Sequence, residues 1–493
     1  MPKLTINNLG LGGLSPNSDV LEGSFTEAVG VDPYRKPGYI MPGFAETIIT
    51  QTVTTDLILD AVLNPVGSDV YGISNNKLYR LPNWGASITN TTAFPYSITA
   101  GGASAASEVF AYNASGTSYL YWIGQNDIGR YDYAGNYDED WGSTAPTGAA
   151  SLQTAPHPKI EFNSIYWIGN GRYLCKLEAK AAGTQTTMNA VALDLGFGWE
   201  ITTLFTTQNY IGVCAWVKQN AVITKTQCAV FMWDGVSETY NYKIPINDNK
   251  IISSINNSGE IFLITEGNAN QASQCSLKKL IDNGSESISK LRVNLSGTDT
   301  SFTITHNNAI DVFDERLLFG LKSITQNYLF SYGSPIKTFS DVLSIPYFGA
   351  NASATCDIGL VKNLNEGAFC VSHQKDGVYK WSRYSTGNSV ATWKGVYQSF
   401  GQKIRINYIK FYFRPLVASD SITVGLDIDY GTSVTLADNS GNATITYTND
   451  GAITSKKFKV GRDCHTFRPT IAWGAGGTPF NRICIDYTFI EDN

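Results

Sequence analysis

From residue 51 onward the chain alternates short apolar-aromatic runs with polar turns, and one hairpin pattern recurs. Each copy has an apolar or aromatic strand, a turn, and a second strand that carries aromatic, basic or further apolar residues. The first is Val70-Tyr71-Gly72-Ile73 followed by Leu78-Tyr79-Arg80-Leu81. The second and third share Tyr-Trp-Ile-Gly, at Tyr121–Gly124 and Tyr166–Gly169, leading to Ile128–Tyr131 and Tyr173–Leu177. Weaker copies follow at Tyr210–Val217 with Val230–Gly235, Ile261–Ile264 with Leu277–Leu280, Leu317–Gly320 with Tyr328–Ser331, and Ala368–Val371 with Val378–Trp381. Period-2 alternation bounded by Gly, Asn and Asp predicts strands. Successive copies lie about 45 to 57 residues apart, the spacing of propeller blades.

One such unit cannot bury both faces of its sheet. Fanned around an axis, the units cover each other and leave only short edges. The large aromatics would fill the wedges between them. The expectation is a β-propeller over 51–394 with six to eight blades, seven being the best count. A β-helix needs a shorter period, and separate sandwiches do not require similar hairpins at near-constant spacing.

The texture changes near residue 395. Ile404–Phe413, Ile422–Tyr430, Ala443–Tyr447, Lys457–Val460 and Ile483–Phe489 alternate cleanly, separated by turns such as Asn439-Ser440-Gly441. They predict a C-terminal antiparallel β-sandwich over 395–493. Residues 1–50 are dense in Gly and Pro, which leaves no room for a helix or a long central strand. This stretch reads as an extended N-terminal arm, and the whole chain as all-β.

Composition narrows the function classes. Of 493 residues 16% are charged and 43% apolar, with a net charge of −6, so the chain is not intrinsically disordered. No apolar stretch is long enough for a membrane helix, and no secretion signal is apparent, so no membrane partner is expected. No Lys/Arg run exceeds two residues, which argues against a tight grip on nucleic acid. The eight cysteines lack any CxxC spacing and mostly fall in apolar runs, the pattern of buried reduced thiols.

Candidate chemistry is sparse. The four histidines, His157, His306, His373 and His465, form no metal-binding spacing, and neither a nucleophile elbow nor a phosphate loop occurs. Asp138-Glu139-Asp140 is a tight acidic run that a propeller glycosidase could use as paired carboxylates, and that otherwise reads as a solvated loop. Ser296–Thr300 only resembles the start of a sialidase box. Asp427 and Asp429 share a strand face and would suit a calcium ion or simply a wet surface. Lys456, Lys457, Lys459, Arg462 and Arg468 form the most basic patch. No catalytic, cofactor-binding or metal residue is assigned, and no enzyme activity is expected.

Gly23-Ser24-Phe25, Val31-Asp32 and Lys36–Gly43 resemble the opening of β-propeller virion proteins of tailed bacteriophages, where Gly-x-Phe, Val-Asp and Pro-Gly-Tyr introduce the first blade. Lys410–Leu416, Asp429-Tyr430-Gly431, Gly451–Lys456 and Phe467-Arg468-Pro469 are similar to the end of such proteins. The resemblance implies a structural neck or tail component, most like the nozzle that continues the DNA channel. It implies a homo-oligomeric ring, commonly of six copies. Its partners would be a portal or adaptor and other tail proteins, with genomic DNA passing without specific binding. It would sit in the virion after assembly in the host cytoplasm. Phe25, Asp32, Pro37, Gly38 and Tyr39 are the expected assembly or blade-closing residues. The alternatives are a tail-tip protein recognising host surface glycan and a propeller glycosidase acting on surface polysaccharide.

Overall fold

The computed structural model describes residues 2–14, 24–49, 57–74, 76–82, 94–98, 108–114, 116–124, 128–139, 141, 152, 156–177, 189–217, 227–267, 275–290, 292–293, 300–301, 306–322, 327–334, 342–344, 357–363, 367–375, 378–447 and 453–490. Seven four-stranded antiparallel sheets form a β-propeller, and a nine-stranded sheet curls beside it into a half-barrel. No helix among the described residues is long and apolar enough to cross a membrane.

Each of the seven recurring hairpins supplies the two middle strands of one blade. In the fourth blade, for example, Ile211–Val217 and Gln227–Trp233 lie between Trp199–Thr206 and Tyr242–Ile246. The innermost strands are Asp60–Leu63, Glu108–Ala114, Lys159–Phe162, Trp199–Thr206, Lys250–Asn257, Ile310–Phe313 and Ile358–Asn363. The last packs against the first, so the ring closes. Apolar clusters fill the wedges. Tyr71, Phe94, Trp122 and Tyr131 lie between blades one and two, and Trp167, Leu204, Phe231 and Trp233 between blades three and four. These rings meet at tilted and edge-to-face angles, such as Trp167 on Trp233 at 5.1 Å and 89°.

The repeated glycine of the second strand has a steric reason. A Cβ on Gly169 would lie 2.9 Å from Ile201 of the next blade, and one on Gly320 would lie 2.3 Å from Ile358. The missing side chain lets the neighbouring inner strand approach. Inner strands of blades four, five and seven also carry a register shift at matching places, between Ile201 and Thr203, Ile251 and Ser253, and Ile358 and Leu360. Such bulges increase local twist, which a radial sheet requires.

The C-terminal sheet is one continuous antiparallel surface wrapped around a single apolar core. Its spine is Ser455–Ala475, 21 residues long, which pairs first with Gln398–Phe413 and later with Ala391–Gly395 on one side and Ser421–Ile428 on the other. The two faces expected of a sandwich arise by bending this sheet rather than by stacking two. The arm is extended, as expected, and is woven into both units. Lys3–Asn7 pairs with Phe480–Phe489, and Phe25–Val29 pairs with Ala391–Gly395, forming the two ends of the sheet's main strand order. Glu46–Ile48 then becomes the outer strand of the seventh blade. Strands from both termini of the propeller region thus share one blade, which latches the ring.

Candidate functional site: the arm junction and the propeller axis

The motif-bearing arm residues sit where the propeller meets the half-barrel. Phe25 opens the strand Phe25–Val29 and is fully buried in the half-barrel core with Trp393 and Phe467. Lys36-Pro37-Gly38-Tyr39 is a turn in which the Tyr39 amide donates to the Lys36 carbonyl at 3.0 Å and Gly38 has φ 78°. Proline then glycine at the central positions is the chemistry of a type II turn. The turn presents the Tyr39 ring between the Lys36 ammonium at 5.0 Å and the Arg414 guanidinium at 5.3 Å. Ile40 exchanges both backbone hydrogen bonds with Phe480, at 2.8 and 2.9 Å. Phe25, Pro37, Gly38 and Tyr39 therefore belong to the half-barrel side of the junction. Gly23 lies outside the described residues.

Asp32 faces the propeller. Its carboxylate accepts two hydrogen bonds from Arg316 of the sixth blade, Nη1 to Oδ1 at 2.6 Å and Nη2 to Oδ2 at 2.8 Å. The side chains are 0% and 2% exposed. The Tyr34 amide adds a third bond to Oδ1 at 2.9 Å. The Tyr34 ring lies 4.4 Å from the guanidinium, and its hydroxyl donates to the Gly333 carbonyl at 2.9 Å. A bidentate, stacked arginine fixes both distance and angle.

The closing strand is secured by a third cluster. Glu46 Oε1 accepts from His373 Nε2 at 2.9 Å and from Ser382 Oγ at 2.6 Å. Burial raises the Glu46 carboxyl pKa, but the His373 hydrogen bond and charge, with Ser382 and Lys380, outweigh it and bring it down to about 2. Ser382 and His373 both point at the carboxylate, so the serine is held as a donor rather than activated as a nucleophile.

At the propeller axis, Lys159 of the third blade reaches Glu108 of the second at 2.7 Å and Asp60 of the first at closer range. Glu108 Oε1 also accepts from Asn307 at 3.0 Å and Asn308 at 3.2 Å, which precede the sixth blade. Groups from opposite sides of the ring thus meet across the axis. Burial disfavours a charged Lys159, yet Asp60 and Glu108 hold it charged to well above the ordinary lysine range. Burial pushes the Glu108 carboxyl up, against the pull of Lys159 and with the repulsion of Asp60. The two carboxylates thus share the one Lys159 ammonium between them.

Several of the other sequence candidates are engaged within the chain. Asp138 stands 3.6 Å from Arg130, while Asp140 and Ser296–Asp299 lie outside the described residues. Asp427 accepts from Arg468 at 2.9 Å and Ser433 at 2.6 Å. Asp429, at φ 46° beyond the strand end, accepts from the His465 and Thr466 amides. Lys456 pairs with Asp438 at 3.0 Å, and Arg468 also donates to Thr26 of the arm at 2.9 Å. Six of the seven described cysteines are buried and all seven are free; burial pushes the Cys175 and Cys370 thiols up to about 12. Cys356 lies outside the described residues.

Sequence reasoning missed Arg316, Glu46, His373, Ser382, Asp60, Glu108 and Lys159. Charged positions at the start of an otherwise apolar blade were the available signal for the axial three.

No family model matches this chain, and comparison with curated proteins finds no match. Among solved structures it is similar to the extracellular domain of a hybrid two-component system protein from B. thetaiotaomicron, at 14% identity and TM-score 0.42, covering 76% of this chain and 44% of that one. It is similar to extracellular domains 1-2 of Drosophila Semaphorin 1a, at 8% identity and TM-score 0.42, covering 70% of this chain and 88% of that one. An exo-β-1,3-galactanase from Phanerochaete chrysosporium follows at 9% identity and TM-score 0.31, covering 69% and 98%. Similarities this distant assign no activity or partner, and the chain spans less than half the length of the first.

Proposed function

We propose that this protein is a non-catalytic structural component of a bacteriophage neck or tail, built to assemble as a nozzle-type ring. The observation that carries the reading is where the phage-like motifs fall. Phe25, Val31, Asp32 and Ile40 are fully buried at the joint between propeller and half-barrel, and Asp32 holds Arg316 of the sixth blade. A conduit wall under internal pressure needs such a stiff joint more than it needs a cleft. The low charge, net −6, suits a surface past which DNA slides without being gripped.

Deleting the arm is a poor test, because residues 3–7 and 25–29 are strands of the half-barrel and 46–48 complete a blade. Mass photometry of the intact chain over a concentration series reads assembly directly. A discrete species of ring size, about six copies, is expected. A monomer at every concentration, with no ring recruited by purified portal–adaptor complex, removes the reading.

A further inference from the structure

The outer face of the half-barrel carries a field of cations with a single carboxylate among them. Strand register sets it out in three rows across four strands. Lys3, Asp486, Tyr408 and Lys459 form the first row; Thr5, Cys484, Lys410 and Lys457 the second; Asn7, Arg482, Tyr412 and Ser455 the third. The alternate positions, such as Ile409, Phe411, Ile483 and Ile485, are buried in the core, so this face looks outward. Its rows lie about 7 Å apart and its strands about 5 Å apart.

Asp486, 3.6 Å from Lys457, is the one acid on this grid. Lys3, Lys410, Lys459 and Arg482 make no ion pair among the described residues. Lys410 and Lys457 stand directly opposite each other, a like-charge pair that costs the sheet stability. Tyrosine rings hold the cations in place. Arg482 lies 3.9 Å and Lys410 4.7 Å from the Tyr412 ring centre, and Lys457 lies 3.8 Å from that of Tyr408. The rings are thus occupied, and what the surface offers a partner is ordered positive charge. The patch continues onto the arm, where Arg414 and Lys36 flank Tyr39. Folding alone gives no reason to oppose lysines here; a partner of opposite charge does.

We propose that this face docks the acidic face of the propeller in a second copy of the chain. The inference rests on the ring reading and names its contact. The whole net charge of −6 lies in residues 51–390, which hold 28 acidic against 22 basic side chains. Each blade runs from the axis outward, so its first and third turns open on the same face of the propeller. At or next to those turns, Glu161 of blade three, Glu238 of blade four, and Asp282 and Glu286 of blade five are exposed and make no ion pair among the described residues. Lys279, beside them, is held by Glu260. The arm anchors the half-barrel at blades six and seven, while these acids lie on blades three to five. Two different patches that complement each other make a head-to-tail contact, the kind that closes into a ring.

The test uses the full-length chain. Equal parts of isotope-labelled and unlabelled protein are treated with a zero-length carbodiimide cross-linker and mapped by mass spectrometry. Mixed-isotope links from Lys3, Lys410 or Lys459 to Glu161, Glu238, Asp282 or Glu286 are expected; links confined to one chain overturn the proposal. Mass photometry then compares two charge reversals, Lys459→Glu with Arg482→Glu on one face and Glu238→Lys with Asp282→Lys on the other. Each should raise the concentration needed for association about tenfold, and all four together should restore it. Lys459→Gln with Arg482→Gln, which removes charge without reversing it, should show a smaller loss. Association unchanged by either reversal, or not restored by the combination, overturns the proposal. So does binding of a short DNA duplex that Lys459→Glu with Arg482→Glu abolishes while association is unchanged, which would assign the face to nucleic acid. Links between copies in open dimers would keep the contact and end the ring reading, whereas rings that form with a reversed face would do the opposite.

Discussion

Replacing Asp32 with asparagine should strongly weaken the joint between the arm and the sixth blade. The substitution conserves shape and leaves an acceptor for the Tyr34 amide. It removes the charge that faces a guanidinium with 2% exposure, held by bonds of 2.6 and 2.8 Å. Breaking a buried pair from one side strands the other ion, at a cost of about 3–5 kcal/mol. Arg316→Met should cost a similar amount, because it strands the Asp32 carboxylate. The double variant strands neither charge, so it should cost clearly less than the two singles added, with the difference giving the coupling. Urea denaturation followed by tryptophan fluorescence and circular dichroism supplies all four corners of this cycle. A single variant that loses less than about 1 kcal/mol, the worth of an exposed pair, would refute the buried-clamp reasoning. Strict additivity would refute it as well.

Other consequences can be checked with the same melts. Glu46 has a carboxyl pKa of about 2 against 4.5 unfolded, so its contribution is complete above about pH 4.5 and fades as pH falls toward 2. A shift of that size is worth about 3 kcal/mol at most, and Glu46→Gln should lose most of it at pH 7 and show a flatter acid limb; an unchanged acid limb contradicts the latch. Lys159→Met leaves Asp60 and Glu108 facing each other at the axis and should cost about 3–5 kcal/mol, with partial rescue at low pH as a carboxylate is protonated. Gly320→Val drives a side chain into Ile358 of the next blade and should cost about 1–3 kcal/mol, whereas Gly431→Ala, in open space and without a left-handed φ, should be nearly neutral.

The seven middle hairpins were legible because each is apolar along most of its length and ends in a polar turn. The inner strands were harder to read: Asp60, Glu108 and Lys159 break the apolar pattern where the blades converge, and their partners lie one or two blades away. No local signal marks Glu46–Ile48, a three-residue strand with two exposed positions that gains its meaning from Tyr384, Arg383 and Ser382 far along the chain. The Gly and Pro density of the arm correctly excluded a central strand; Lys3–Asn7 and Phe25–Val29 sit at the ends of the sheet's main strand order. In the half-barrel, Lys457–Val460 was visible, but the full run of Ser455–Ala475 was not, because its middle exposes Arg462 and Asp463 beside Gly461 where the sheet bends. Of the arm residues singled out, Asp32 acquires its role only through Arg316, 284 positions later.

The central claim is that the arm joins propeller and half-barrel into one stiff body that builds a ring. Cryo-electron microscopy of the purified full-length chain tests both halves at once. Closed rings of about six copies, with the half-barrel at one fixed angle to the propeller in every class, are expected. Isolated particles in which the two units take up many relative orientations would contradict the account.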